Sequence, residues 1–415
     1  MRDLIKFELR KLYLRPVTLV AAAGFMIMFI FLTTIYPLGN EEAVNVYDPG
    51  NTETNEMTTV FGMRAIEMKK EWTDAFSGTW TNETVRNILT EYRAAMNDPK
   101  NTTGVLNEDA MYWRELQQQY EGWSERDIKA FNEKNPIYFY KPEFLFGESN
   151  KWIPVEFLAR EFYATPVESI PTLSEMFPAL QTEPVFGWHD GPLKTAKNLS
   201  DRIGMFVALI IIMALAPIFA EERSLRTESI LLSAKHGRNW QIGAKIIAAA
   251  VFSLSVLAVF FALDVAIHGL IYGFDGWGLP VQLDEQTFHI PYAISFGGYV
   301  GYSMLCITAG TLCLIAIQLM ISALAKTPFS SLLIGAVYFF LSMFIHGMVT
   351  PEARKYAAML PVMLFQPDTY ISAVETLNFG FASPSLNASA AFAAGICSIA
   401  VILWCRHHFK RRMSV

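Results

Sequence analysis

Residues 221–245 read EERSLRTESILLSAKHGRNWQIGAK, a charged stretch between two apolar runs, 203–220 and 246–271. Each run is long enough to cross the ~30 Å hydrocarbon core of a bilayer as a helix. The stretch between them therefore stands at a membrane surface. Ile230, Leu231 and Leu232 form a compact apolar patch flanked by Ser229, Ser233, Lys235 and Arg238. A short amphipathic helix so placed lies on lipid or docks into a groove on a soluble partner. Gly237 suits the position just after a helix end. Lys235 and His236 in the preceding turn suit the negative end of the helix dipole.

Working outward, the first 16 residues, MRDLIKFELRKLYLRP, predict an interfacial helix. Ile5, Leu9 and Leu12 share one face beside a stripe of Arg2, Lys6 and Arg10, a pattern that meets anionic lipid. Six spans follow, at 17–37, 201–220, 246–271, 292–322, 329–349 and 387–405. Val17 to Ile35 holds no charge, and no A-x-A cleavage site follows it, so the run reads as an uncleaved anchor rather than a signal peptide. Asp201 and Arg202 open the second span, and Pro217 predicts a kink near its inner end. Gly297, Gly298, Gly301 and Gly310 predict close approach of a neighbouring helix to the fourth. Residues 351–385, interrupted by Pro361 and Pro367, predict short helices that are re-entrant or lie on the surface.

Charge divides the chain. Residues 38–200 carry 26 acidic and 15 basic side chains, net −11; the remainder carries 13 and 18, net +5, giving the total of −6. An acidic, water-facing insert is thus joined to a basic, apolar domain in which 201–405 hold spans two to six and 406–415 form a basic tail. Helical spacing at Phe61, Ala65, Met68, Trp72 and Phe76, and again at Val85, Ile88, Leu89, Tyr92 and Met96, predicts a mainly helical insert that becomes irregular from Asn135 onward. Asn82, Asn101 and Asn198 each begin an N-x-[ST] triplet. Cys306, Cys313, Cys397 and Cys405 all fall in apolar runs, so the insert carries no disulfide.

With the N-terminus inside, the short cytoplasmic segments collect Arg2, Lys6, Arg10, Lys11, Arg15, Arg223, Arg226, Lys235, Arg238, Lys245, Lys326, Arg406, Lys410, Arg411 and Arg412, whereas the 272–291 loop has no Lys or Arg. The positive-inside rule then places 38–200 outside and both termini in the cytoplasm of a multi-pass plasma-membrane protein. Asp264 and His268 share one face of the third span. Asp264 stands roughly 27 Å above Ile246, near the outer surface. The pair reads as a wet or locally paired couple or as part of a cavity wall. The chain has no G-x-x-x-x-G-K-[ST], H-E-x-x-H, G-x-S-x-G or C-x-x-C, so no nucleotide, metal or nucleophile site of its own is expected.

The 221–245 stretch resembles the cytoplasmic loop of ABC transporter permeases of the type-2 exporter family, the kind that exports antibiotic peptides or polysaccharides. There an acidic pair ends the second span, an ILLS-like helix follows, then an Arg, then a Lys opening the third span. Here these are Glu221–Glu222, Ile230-Leu231-Leu232-Ser233, Arg238 and Lys245. Many members carry Gly where Thr227–Glu228 stands, and Pro before the Arg where this chain reads Ala-Lys-His-Gly. The resemblance implies an all-α polytopic fold with a coupling helix at 224–236 seated on a separate ATPase, which would bind ATP and Mg. It implies ATPase contacts at Glu221, Glu222, Arg223, Arg226, Ser229, Ile230, Leu231, Leu232, Ser233 and Arg238, with Lys326 as a second contact. Further implied partners are a second permease chain, identical or related, the lipid bilayer and an amphipathic substrate (peptide, lipid-linked molecule or drug), with no nucleic acid. An alternative of another class is a membrane sensor or scaffold whose insert binds a ligand outside and signals to a cytoplasmic partner.

Overall fold

The computed structural model describes residues 1–47, 57–75, 77–79, 185–227, 240–284, 287, 290, 292–371 and 386–411. Most of the acidic insert, and Ser229, Ile230, Leu231, Leu232, Ser233 and Arg238 of the expected coupling helix, lie outside these residues. The described part is mostly helical. Five of its helices are long and apolar enough to cross a membrane: Pro16–Glu41, Asp190–Ser224, Ile242–Tyr272, Phe296–Leu324 and Pro328–Met348. A sixth helix, Leu386–Arg411, contains a shorter apolar segment, Phe392–Trp404.

Helix α1 (Arg2–Tyr13) buries Glu8 and Leu12 and turns at Arg15 into α2 (Pro16–Ile30). Proline is at home in the first turn of α2, where its missing N–H would have no partner. Two π-turns, Phe31–Ile35 and Pro37–Glu41, continue α2 outward. A short antiparallel hairpin then pairs β1 (Ala43–Tyr47) with β2 (Met57–Phe61). This hairpin departs from the all-α expectation. Its alternating Val44, Val46, Thr58 and Val60 are β-branched and favour the extended chain. Helix α3 (Met63–Ala75) follows and buries Ala65 and Ile66.

The centre of the molecule is a kinked rod of three helices: α4 (Asp190–Asn198), α5 (Gly204–Leu215) and α6 (Pro217–Ser224). A π-turn, Leu199–Ile203, joins the first two. The second span was expected to open at Asp201, but the helix begins at Asp190. Pro192 sits in its first turn, where proline is tolerated, and packing carries it through the polar residues 194–202. Ile203, Phe206, Val207, Ile210, Ile211 and Ile212 are buried all round the circumference, the pattern of a helix enclosed by others. By contrast α2 and α9 (Pro328–Met348) leave most of their apolar surface outward.

Around this rod stand α7 (Ile242–Tyr272) and α8 (Phe296–Leu324). Between α9 and α12 (Leu386–Arg411) the chain makes α10 (Pro351–Ala357), a 3-10 turn at Pro361–Phe365 and α11 (Asp368–Ile371). Here the expected short helices are found. A side chain at Gly204 would meet the Phe365 carbonyl at 2.7 Å, and one at Gly310 would meet Leu364 Cβ at 3.1 Å. These two glycines therefore admit the 3-10 turn. Of the expected Gly297–Gly301 pair, Gly297 approaches the Trp277 carbonyl, but Gly301 has nothing within 4 Å. The Cys313 thiol donates to the Ala394 carbonyl at 3.0 Å and helps fasten α12 to α8.

Candidate functional site

The residues on either side of the 228–239 segment gather into one node. Lys245, in the first turn of α7, is only 1% exposed. Its ammonium stands 3.0 Å from Glu8 of α1 and 2.7 Å from Glu222 of α6, and donates to the Ile218 carbonyl at 3.1 Å. Those contacts use all three ammonium donors. The Phe219 ring lies 5.7 Å from the nitrogen and adds a cation–π contact. A buried charge is tolerable only when so paired. The buried Glu8, set among Lys6, Arg10 and Lys11, and the lysine at the foot of an apolar run explain one another.

Glu221, the other half of the acidic pair, bonds Arg15 and lies 3.0 Å from Lys11. The two neighbouring carboxylates thus tie α6 to both sides of the α1–α2 elbow and to α7. Arg223 reaches the opposite way. It donates to the Ala323 carbonyl, to Leu324 at 2.8 Å and to Ala325 at 3.0 Å. These are the free carbonyls at the C-terminal end of α8, which a guanidinium satisfies. The exposed Lys326 follows directly, and Thr327 and Ser330 form a capping box on α9. The expected second contact at Lys326 therefore lies beside the acidic motif. Glu221, Glu222 and Arg223, expected to face a partner, are already engaged within the chain. Arg226 is exposed.

Pro217 breaks the rod as expected. The break is sealed from α8: Ser322 donates to the Ala216 carbonyl at 2.7 Å and accepts from the Phe219 and Ala220 amides at 3.1 and 3.2 Å. A proline inside a span is tolerated when a neighbouring hydroxyl satisfies the backbone in this way. The C-terminus of α6 closes in a Schellman turn. The Thr227 amide bonds the Glu222 carbonyl at 2.9 Å and the Arg226 amide bonds Arg223 at 3.1 Å. Arg226 therefore takes φ 56°, a left-handed conformation that usually falls to glycine.

A second polar cluster, named the outer one only to tell it from the inner one at Lys245, occupies the C-terminal half of α7. Asp264 is 0% exposed. It accepts from the side-chain amide of Asn198 on α4, and its Oδ1 lies 3.1 Å from His268 Nδ1. Its Oδ2 has no hydrogen-bond partner. Arg202 donates to Asn198 Oδ1 at 3.3 Å and to the Leu32 carbonyl at 3.1 Å, within the π-turn that follows α2. The expected local pairing of Asp264 and His268 is thus present, in the interior rather than at a wet surface. Asn198 is buried and bonded, which excludes it as a glycan acceptor in this fold.

Above this cluster, Glu42 meets Lys69 at 2.8 Å, Lys194 at 2.9 Å and the Tyr272 hydroxyl at 2.9 Å. Burial alone would raise its pKa. The hydrogen bonds and charges of the two lysines, with the tyrosine, outweigh that and hold it at about 2. His189 is buried too, which lowers its pKa, but Asp284 and the Gly187 carbonyl outweigh burial and raise it. Sequence reasoning missed Glu8, Asn198, Ser322 and Glu42. The one usable signal was the lone Glu8 among Lys6, Arg10 and Lys11.

A family described as "Protein of unknown function (DUF2705)" matches residues 190–412, more than half of the 415. The chain belongs to the DUF2705 family. In this DUF2705 protein the matched region begins at the first residue of α4 and contains every helix from α4 to α12. It excludes α1, α2, the β1–β2 hairpin and α3, so Glu8 and Glu42, which complete the inner node and the outermost ion-pair group, are contributed from outside it. No curated protein and no solved structure matches the chain.

Proposed function

We propose that this DUF2705 protein is the membrane-spanning permease subunit of an ABC exporter of the type-2 kind. A separate ATPase would seat on the 224–236 segment, and two permease chains would enclose the path of an amphipathic substrate. The observation that carries the reading is the Lys245–Glu8–Glu222 node. It joins both ends of the 225–241 loop to each other and to α1, and Arg223 adds the end of α8. A push on that loop would therefore be delivered to α5–α6, α7 and α8 together. The permease supplies two conformations, and the ATPase biases which is populated. The positive-inside pattern supports a cytoplasmic loop.

The test is purification of the full-length protein from its native membrane. An ABC ATPase subunit is expected to accompany it, with ATP hydrolysis in the purified complex, and L231D/L232D is expected to release it. A complex that survives L231D/L232D, or a wild-type protein that hydrolyses nothing and carries no ATPase, would sink the assignment. Reporter fusions at residues 120 and 235 check the orientation. A cytoplasmic signal at 120 reverses it.

A further inference from the structure

The elbow between α1 and α2 forms an open recess of about 450 Å³, lined by Phe7, Arg10, Lys11, Leu14, Arg15 and Pro16. Three cations face it. Lys11 and Arg15 share one carboxylate, Glu221, and Arg10 is exposed with no ion pair among the described residues. Three positive charges against one negative leave a net charge of +2 at the recess. On the same wall Phe7 is 65% exposed and Leu14 57%. The first apolar span starts at Pro16, so the recess stands at the height of lipid headgroups.

We propose that this elbow is a binding site for an anionic phospholipid of the adjoining leaflet. The phosphate would lie between Arg10, Lys11 and Arg15, and the first methylenes of the acyl chains against Phe7 and Leu14. The guanidinium forks of Arg10 and Arg15 suit phosphate oxygens. Two large apolar side chains beside them serve no free phosphate ion but do serve the glycerol and chain roots of a lipid. Glu221 stands on α6, one turn before the 225–241 segment, so the headgroup would share Lys11 and Arg15 with the residue that ties α6 to α1. The site follows from the recess itself and is independent of any ATPase.

Full-length protein in detergent micelles doped with phosphatidylglycerol or phosphatidylcholine, examined by native mass spectrometry, tests this. Wild type is expected to retain phosphatidylglycerol over phosphatidylcholine. R10Q leaves packing intact, because Arg10 is exposed, and is expected to retain phosphatidylglycerol about fivefold less. R2Q removes the same charge from the same helix outside the recess and is expected to behave as wild type. Equal losses in R2Q and R10Q would mean diffuse attraction to the surface and would overturn the site. So would R10Q binding like wild type. Displacement of the lipid by millimolar glycerol phosphate would mean that the site takes a free phosphate ion, and would overturn the lipid assignment.

Discussion

At the Lys245 end of α7 every donor of a buried ammonium has an acceptor, whereas at the Asp264 end one oxygen of a buried carboxylate has none. Both clusters tie α7 to the central rod, and both lie within a segment apolar enough to cross a membrane. The inner one joins three helices through a single cation and leaves that cation nothing to gain by moving. The outer one is held through Asn198 and His268 but keeps an unanswered acceptor in the interior, where a bare polar atom is expensive. A fully paired node transmits displacement as a rigid joint. A partly paired one stands closer to a second arrangement or a second protonation state.

The largest effect is therefore expected at the inner node. K245A leaves Glu8 and Glu222 facing each other without their cation and should destabilise the protein by about 3–5 kcal/mol. The measurement is the midpoint of thermal loss of monodisperse protein in detergent. K245M combined with E8Q and E222Q removes all three charges and should recover most of that loss. If the triple variant is no better than K245A, pairing is not what the lysine supplies.

Next comes the outer cluster. D264A strands the Asn198 amide and His268 and should destabilise by about 1–3 kcal/mol. D264N keeps the Oδ1 acceptor for both and puts a neutral amide where the unpaired charged oxygen stood, so it should destabilise less than D264A. The same thermal assay decides. A D264N variant less stable than D264A would show that the charge itself is supported, and the contrast between the two ends would disappear.

Beyond the membrane segment, pH separates two further groups. Glu42 is held at about 2, below its ordinary 4.5, so its contribution is full above 4.5 and is lost as pH falls from there toward 2. His189 is raised above its ordinary 6.5, so its contribution is full below 6.5 and is lost as pH rises through the folded value. E42Q should flatten only the acid limb of a stability–pH profile, and H189N only the alkaline limb. Unchanged limbs in either variant would remove that residue from the account.

The apolar runs made the described apolar helices legible to within a few residues, the early start of the second at Asp190 apart, since length and hydropathy decide them. Pro217 and the short pieces after Pro351 were legible for the same local reasons. The inner node was half legible. The acidic pair and Lys245 stood out, but only folding brings Glu8 to them, because α1 packs along α7. Residues 190–202 looked like a polar approach to a span, with Lys194, Lys197, Asp201 and Arg202 in close order. They form helix because partners from elsewhere, Glu42 for Lys194 and the Leu32 carbonyl for Arg202, answer their charges. Such long-range pairing leaves no periodicity to read. The β1–β2 hairpin was passed over because the helical spacing beginning at Phe61 dominated its surroundings.

The smallest effect, and the sharpest on the inner node's geometry, concerns Arg226. Its φ of 56° closes the Schellman turn that leads from Glu222 and Arg223 into the loop. An L-residue other than glycine, Asn or Asp pays about 1 kcal/mol or more there. R226G relieves that strain but frees the unfolded chain, so the net gain should be about 0.5–1 kcal/mol. R226A keeps a Cβ and should gain nothing. A rise in melting temperature for R226G but not for R226A locates the strain in the backbone. A fall in both would mean that the guanidinium holds the turn through contacts stronger than the strain. The segment leaving the node would then be set by a side chain, not by the turn.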